Sequence, residues 1–469
     1  MRTIHILAVF LLSGLAAPWA IGCAVKQPPP AADALKEVLP SSTAVPAAWK
    51  TAGGGIAGNV ASDWIRSFGD QQLEALVEEG LQNNLDLKAA ATRIDVAVAL
   101  VVQARSLLYP QLTAIGGAGA VGRDSTKDRS GLMGEVAWEL DLWGRVRSES
   151  ASAQAARQAT EADLLYARQS LAATVATLWY QTIATERLRQ TAEDASAVYE
   201  QLLGLVKTRN VVGQVGEQDI ALANADLNRA RYRERAFATS EQQIVRGLEV
   251  VVGRYPAAEI AVAPDLPPVP PPVPEGLPSD LLARRPDLVA AERRVASAFH
   301  LIQAAEAARL PSIALTAAGG RSTSELLRLA NVGAGFWKVG FDFIAPIFTG
   351  GALRAQVDIA TADQRAALAL YGQTALRAFS EVETSLAGEQ LLADQQRFLE
   401  AVLSQDVEAL RLGRLRFDAG AEDLLHVLQL QARQLNTQFE LIAVRNDRLG
   451  NRVALHLALG GGFALSPVP

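Results

Sequence analysis

Sliding the sequence by 201 residues lays Asp86-Leu87 on Asp287-Leu288, Ala90 on Ala291, Arg93 on Arg294 and Ala97 on Ala298. Ala104 then meets Ala305, Pro110 meets Pro311 and Asp141 meets Asp342. Farther on, "VKTRNVVGQVGEQDIAL" (206–222) and "LGRLRFDAGAEDLLHVL" (412–428) share an arginine four residues before a glycine, now at an offset of 207. A few extra residues near "APIFTGG" account for the change. A chain that says the same thing twice must build two equivalent substructures. Each half runs helix, strand pair, very long helix, Arg-xxx-Gly break, helix. Between the halves, "PDLPPVPPPVPEGLP" (264–278) can only be an extended, polyproline-like strap.

From about Arg147 to Lys207 there is no proline, and apolar residues keep a three/four spacing, with Leu164, Leu171 and Leu178 seven apart. From about Leu353 to Arg416 the same holds, through Leu368, Phe379, Val382 and Leu386. Some 60 residues make a rod of about 90 Å at 1.5 Å per residue, far beyond the usual helix of about 12 residues. Alanine-rich faces suit closely packed, coiled-coil-like helices. On the helices alone, a soluble bundle or coiled-coil spacer fits equally well.

The strand pairs separate these readings. "GEVAWELDLW" (134–143) puts Val136, Trp138, Leu140 and Leu142 on one face and Glu135, Ala137, Glu139 and Asp141 on the other. "WKVGFDFIAPI" (337–347) sets Trp337, Val339, Phe341 and Phe343 against Lys338, Gly340 and Asp342. Weaker small-residue strands precede them, giving strands at about 110–121, 134–143, 311–320 and 336–347. Segments near ten residues, apolar on one face and acidic on the other, fit a lipid-facing β-barrel with a wet lumen; a half-buried soluble hairpin shows the same alternation but seldom places Trp and Phe this densely on its covered face. Trp138, Trp337, Phe341 and Phe343 then face lipid, and Glu135, Glu139, Asp141 and Asp342 face the lumen. Four strands cannot close a barrel, since the smallest have about eight and open edges are not tolerated in lipid. Strands must therefore come from several copies; three would supply twelve and leave an open lumen.

The first 22 residues read as a secretory signal: Arg2, the apolar "IHILAVFLLSGLAA", then small residues up to "AIGC". The single cysteine, Cys23, stands where a lipoprotein signal is cut and would carry lipid, although Ala20 replaces the usual leucine. A chance free cysteine is the plainer alternative. With one cysteine and four histidines, Cys/His metal sites and disulfide frameworks are excluded. A net charge of −6 over 94 charged residues, with no basic block, gives no footprint for nucleic acid. His300, His426 and His456 have no partners at ligand spacing, and no catalytic triad, phosphate loop or cofactor motif is present.

Five segments resemble the TolC-like outer-membrane efflux proteins, in particular their NodT-type lipoprotein branch. They are "DWIRSFGDQQLEALVEEGLQNNLDLKAAATRI", "WELDLWGRVR", "LPSDLLARRPDLVAAERRV", "APIFTGGALRAQ" and "RLRFDAGAEDLLHVLQLQARQL", and together they span nearly the whole chain. Asn210-Val211 departs from the aromatic that commonly follows the first arginine. The resemblance implies a mainly α chain with membrane β: a homotrimer with a 12-stranded outer-membrane β-barrel and a periplasmic α-barrel. It further implies a passive exit duct, not an enzyme, that meets a periplasmic adaptor and an inner-membrane pump of the RND type. The alternative is a periplasmic coiled-coil lipoprotein scaffold without a pore. The location implied is the outer membrane of a Gram-negative bacterium, lipid-anchored and extending into the periplasm.

The expected organisation is a signal at 1–22, a lipidated extended segment at 23–62 and a first repeat at 63–263. The strap follows at 264–278, a second repeat at 279–462 and a tail at 463–469. The tip turns fall near 209–218 and 416–423. Glycine takes the left-handed conformation that ends a helix, and a basic residue in the last turn suits the dipole. On the resemblance, Arg209, Gly213, Arg416 and Gly420 shape adaptor-docking grooves, with plain turn geometry as the alternative. Asp219, Glu422 and Asp423 follow at once. In a trimer each becomes a ring of carboxylates able to favour cations and to gate an aperture, or else serves only as a helix cap. Glu422 falls where the family's aperture aspartate lies.

Overall fold

A computed structural model describes residues 25–40, 45–46, 48–51, 64–121, 127–274, 276, 278–323 and 334–461. Cys23, the signal segment, residues 52–63 and the tail at 463–469 lie outside the described residues. The elements in order are α1 (Ala31–Val38), a 3-10 turn (Ile65–Phe68), α2 (Gln71–Asn83), α3 (Leu85–Ser106), β1 (Gln111–Val121) and β2 (Lys127–Leu140). Then come α4 (Arg145–Val211), α5 (Glu217–Val252), α6 (Leu281–Arg284), α7 (Pro286–Ala307), β3 (Ser312–Thr323), β4 (Ala334–Ile344), α8 (Ala352–Asp418) and α9 (Leu424–Ala458).

From α3 onward the duplication is carried into structure almost residue for residue, whereas the 13-residue α2 is matched only by the four-residue α6. Helices α3 and α7 both have 22 residues, and α4 and α8 both have 67. The offset changes in one place. Between Asp141 and Gly144 the first repeat has two residues, whereas the second has eight between Asp342 and Gly351. Gly144 and Gly351 both take positive φ (77° and 88°), so each turn into a long helix uses the conformation open to glycine. The helix ends match as well. Gly213, Gly253, Gly420 and Gly460 have φ of 76°, 87°, 72° and 67°, and each stops its helix with the same pair of backbone hydrogen bonds.

Several segments depart from expectation, among them β4, which runs from Ala334 to Ile344 rather than over 336–347. The stretch expected to be extended at 23–62 holds α1, an amphipathic octapeptide with Ala34 and Leu35 buried. Strand β2 begins earlier than expected, at Lys127, and stops at Leu140 rather than 143. It stops there because the next carboxylate is needed elsewhere. Asp141 accepts hydrogen bonds from the backbone N–H groups of Val146 (3.1 Å) and Arg147 (3.0 Å), and pairs with Arg147 Nε at 3.0 Å. It caps α4.

By contact density the chain forms two units: residues up to Ala44 with Ala91–Asp163 and Asp287–Thr374, and the remainder. In the first, the strands form one antiparallel sheet in the order β1-β2-β3-β4. Helix α4 touches α7 through the Ser152–Ser297 hydroxyl pair (2.8 Å), and Arg294 pairs with Asp163.

In the second unit a core of Trp64, Ile65, Phe68, Leu73, Trp179, Tyr180, Leu248, Val252 and Leu449 gathers α2, α4, α5 and α9. The Trp179 indole donates to Asp70 at 2.7 Å, and the other oxygen of that carboxylate caps α2. Duplication shows in its polar contacts too. Asn84 donates to the Val251 carbonyl (2.9 Å), and Arg285, its counterpart, donates to that of Ala458 (3.2 Å). Buried Arg285 also pairs with Glu381 at 2.7 Å. Residues 264–274 form no regular secondary structure, as the proline content requires. The strap is held by Arg452, whose guanidinium donates to the Pro270 and Pro271 carbonyls while pairing with Glu389.

Candidate functional site

The sheet register fixes which side chains share a face. Opposite residues in antiparallel strands point the same way, so the row Val136–Ala317–Val339 and the row Trp138–Leu315–Phe341 lie on one face. Leu112 joins the first row from β1. Trp337 and Phe343 fall on this face too, opposite Gly319 and Ile313. The other face carries Thr113–Glu135–Ala318–Lys338 and Glu139–Ala314–Asp342. The alternation read in two strands therefore holds over the half of the sheet nearest the helices; farther out, Arg321 falls in the Leu132 row on the apolar face, and Ile115, Met133 and Phe336 fall on the other.

The β4 part of the apolar face is uncovered in a single chain. Trp337, Val339, Phe341 and Phe343 are all more than half exposed. Trp138 differs: it is half-buried, and its indole donates to the Leu108 carbonyl at 3.0 Å. On the polar face Glu139 is held by Arg145 (2.7 Å), which also reaches Glu149 at 2.8 Å. Glu135 stands 4.0 Å from Lys338. Asp141, expected beside them, lies beyond the strand as the α4 cap described above. A two-residue period cannot reveal where a strand stops, and the acid that ends it keeps the parity of those before it.

The second candidate lies at the two Arg-xxx-Gly turns. Gly213 N–H donates to the Asn210 carbonyl (2.8 Å), and Gln214 N–H to that of Arg209 (2.9 Å). Gly420 N–H donates to Phe417 (2.9 Å), and Ala421 N–H to Arg416 (2.8 Å). This is the Schellman pattern, and it explains the spacing: the arginine is the residue whose carbonyl receives the longer bond. Nothing lies within 4 Å of a side chain built at either glycine, so glycine is required there for φ and not for space. In the first turn Asn210, the departure from the family pattern, donates its amide to the Val215 carbonyl at 3.0 Å.

The arginines diverge. Arg416 is exposed, whereas Arg209 forms an ion pair with Asp423. That carboxylate also accepts from Leu425 N–H at 3.1 Å and so caps α9. Hydrogen bonding to Arg209, followed by the contact with Leu425 N–H, holds the Asp423 carboxyl below the usual carboxylate range. Glu422 accepts from Asp423 N–H at 3.3 Å. Asp219 is exposed and accepts from Gly216 N–H at 2.9 Å, capping α5. Above the turns, α4 packs on α5 through Leu203, Val206, Ala223 and Leu227, and on α9 through Val198, Leu202, Leu428 and Leu435. The Arg209–Asp423 pair thus ties the first turn to the start of the final helix. Sequence reading missed it because the partners stand 214 positions apart.

A family model for "outer membrane efflux protein" matches residues 76–254 and 277–461, one stretch for each repeat. A protein named "Probable efflux pump outer membrane protein TtgC", from Pseudomonas putida, is 31% identical over 415 residues, covering 85% of each chain. "Pyoverdine export outer membrane protein OpmQ" of Pseudomonas aeruginosa is 30% identical over 445 residues, 91% of this chain and 93% of its own. Among solved structures, the outer-membrane channel OprN superposes with a TM-score of 0.80 at 27% identity, covering 89% of this chain and 97% of that one.

Proposed function

The chain belongs to the outer membrane efflux protein family, and from that membership we propose how its copies assemble, what they meet and where the duct closes. Its function is that of an outer-membrane efflux channel, the exit duct of an export system. Three copies close a barrel of twelve strands. The observation that carries this is the sheet itself: four strands with one mainly apolar face, its β4 side chains exposed in the single chain, and free β1 and β4 edges among the described residues. Hydrocarbon tolerates no open edge, so neighbouring copies supply the missing strands.

Glu135, Glu139 and Asp342 then line the lumen, and Trp337, Phe341 and Phe343 meet lipid. The turns at Arg209–Gly213 and Arg416–Gly420 face a periplasmic adaptor, behind which stands an inner-membrane pump of the RND type. Cys23 carries the lipid anchor. Asp219, Glu422 and Asp423 ring the aperture, Asp423 under the restraint of Arg209. The duct is passive; no step of chemistry is required of it.

The reading is tested by purifying the protein from outer membranes and measuring single-channel conductance in planar bilayers. Discrete, cation-preferring steps from a heat-modifiable trimer are expected. Glu422→Ala or Asp423→Ala channels with unchanged conductance and selectivity would remove those residues from the constriction. A protein that forms no pore and never migrates as an oligomer returns the alternative, a periplasmic scaffold. Loss of palmitate label on Cys23→Ser tests the anchor.

A further inference from the structure

The six additional residues of the second repeat leave two large apolar side chains almost entirely uncovered: Ile347 is 96% exposed and Phe348 91%. They sit in the exit from β4 into α8. The equivalent exit from β2 into α4 is much shorter, and its aromatic, Trp143, is used inside the chain. Its indole donates to the Pro311 carbonyl at 2.6 Å, and its ring lines a cavity of about 530 Å³ with Ala307 and Leu310. The first repeat's exit thus packs on the helix-to-strand junction of the second repeat.

Duplication tells what the second exit should pack on. Pro311 and Leu310 correspond at an offset of 201 to Pro110 and Tyr109, the junction between α3 and β1. That junction is left open: Tyr109 and Leu107 are both exposed. Within one chain the β4 exit and the β1 junction stand at opposite edges of the sheet. They come together only where β4 of one copy is followed by β1 of the next.

We propose that Ile347 and Phe348 clasp the Leu107–Pro110 junction of a neighbouring copy, so that the contact between copies repeats the contact between the two halves of one chain. This rests on the trimeric assembly proposed above. Antiparallel pairing is preserved across the join, because β1 and β4 run in opposite directions. A second pair of positions agrees. The Ser152–Ser297 contact between α4 and α7 corresponds to Ile359 on α8 and Val96 on α3, each more than half exposed in the single chain. Where the contact is internal the pair is polar and satisfied; where it would lie between copies both members are apolar and uncovered. A buried phenylalanine removes roughly 150–250 Å² from water, so three such clasps give the ring a substantial apolar seam.

The test places a benzoylphenylalanine at position 348 in the full-length protein and irradiates intact outer membranes. A ladder of two and three linked copies is expected, with the adduct on the tryptic peptide 106–123 of the second copy. The variant Ile347→Ser/Phe348→Ser should lose its trimer band in SDS at temperatures where the wild-type trimer survives. Adducts confined to lipid or to the same chain, with variant trimers as heat-resistant as wild type, overturn the clasp and leave the duct standing. A wild-type protein that is monomeric and non-conducting overturns the assembly itself.

Discussion

Arg209, in the last turn of α4, and Asp423, the cap of α9, form an ion pair across 214 positions of chain. One residue belongs to each tip turn's neighbourhood, so the pair adds a polar tie at the turn to the apolar packing of α4 on α9 above it. Both side chains are partly exposed, which limits the pair to about 1 kcal/mol or less. If the turns close the duct as proposed above, such a value suits a latch that must open. Arg209→Gln and Asp423→Asn channels are expected to show more frequent or larger openings in planar bilayers, with the double variant no more open than either single one. Additive effects would show that the residues act separately.

The same pair sets a pH dependence. A carboxyl whose folded pKa is depressed contributes stability above its unfolded value, and that contribution is lost as pH falls through the lower folded value. The ion pair is therefore fully engaged at neutral and mildly acidic pH. Conductance recorded from pH 7 downward should change at this site only below about pH 4, the ordinary aspartate range. In Asp423→Asn this component should be absent.

The turn glycines make a geometric prediction. With open space around Gly420 and a φ of 72°, Gly420→Ala should cost about 1–2 kcal/mol from backbone strain alone. Gly420→Asn, which tolerates the left-handed region, should cost less. Thermal unfolding of the two variants distinguishes strain from a steric cause, which would rank them in the opposite order.

His456 is buried, stacked on Trp64 at 5.3 Å and tilted against Phe68 at 6.2 Å, with neither ring nitrogen hydrogen-bonded in this structure. Burial, reinforced by nearby Arg452, pushes its pKa down to about 4. Between that value and the ordinary one near 6.5, the unfolded chain binds a proton that the folded chain refuses. Stability is consequently complete above about pH 6.5 and falls as pH drops toward 4, by up to about 3 kcal/mol. His456→Phe should flatten the melting temperature over this window. An unaltered acid slope would place the titration elsewhere.

Arg452 holds the proline strap to α9 while paired with Glu389, and it is nearly fully buried. Arg452→Met leaves the Glu389 carboxylate and two proline carbonyls without their donor, at an expected cost of about 3–5 kcal/mol. Adding Glu389→Gln should recover part of the loss. Melting curves of the single and double variants measure that recovery, and its absence would mean that the strap contact, not the charge, dominates.

Much of this fold is legible in the sequence because the duplication acts as an internal control. A pattern present at Arg209–Gly213 and again at Arg416–Gly420 is hard to mistake for chance. The two-residue alternation likewise sorted Glu135 and Trp337 onto opposite faces, as the register of the sheet does. What escaped were properties set by tertiary neighbours. Asp141 has the parity of Glu139, yet it caps a helix because the strand ends one residue earlier. Trp138 has the parity of Trp337 but donates to Leu108. The Asn84–Val251 and Arg285–Ala458 contacts repeat faithfully, but each joins residues more than 160 positions apart. No local spacing announces them.

The four glycine helix ends have a consequence for counting. In the proposed ring of three chains the turns at Gly213 and Gly420 would supply six positions with one backbone geometry but two sets of side chains, Asn210 and the paired Arg209 in one, Phe417 and the exposed Arg416 in the other. A partner that reads only the shape of the turn finds six seats. A partner that reads the side chains finds three of one kind and three of another, so the stoichiometry of a bound complex reveals which of the two it reads.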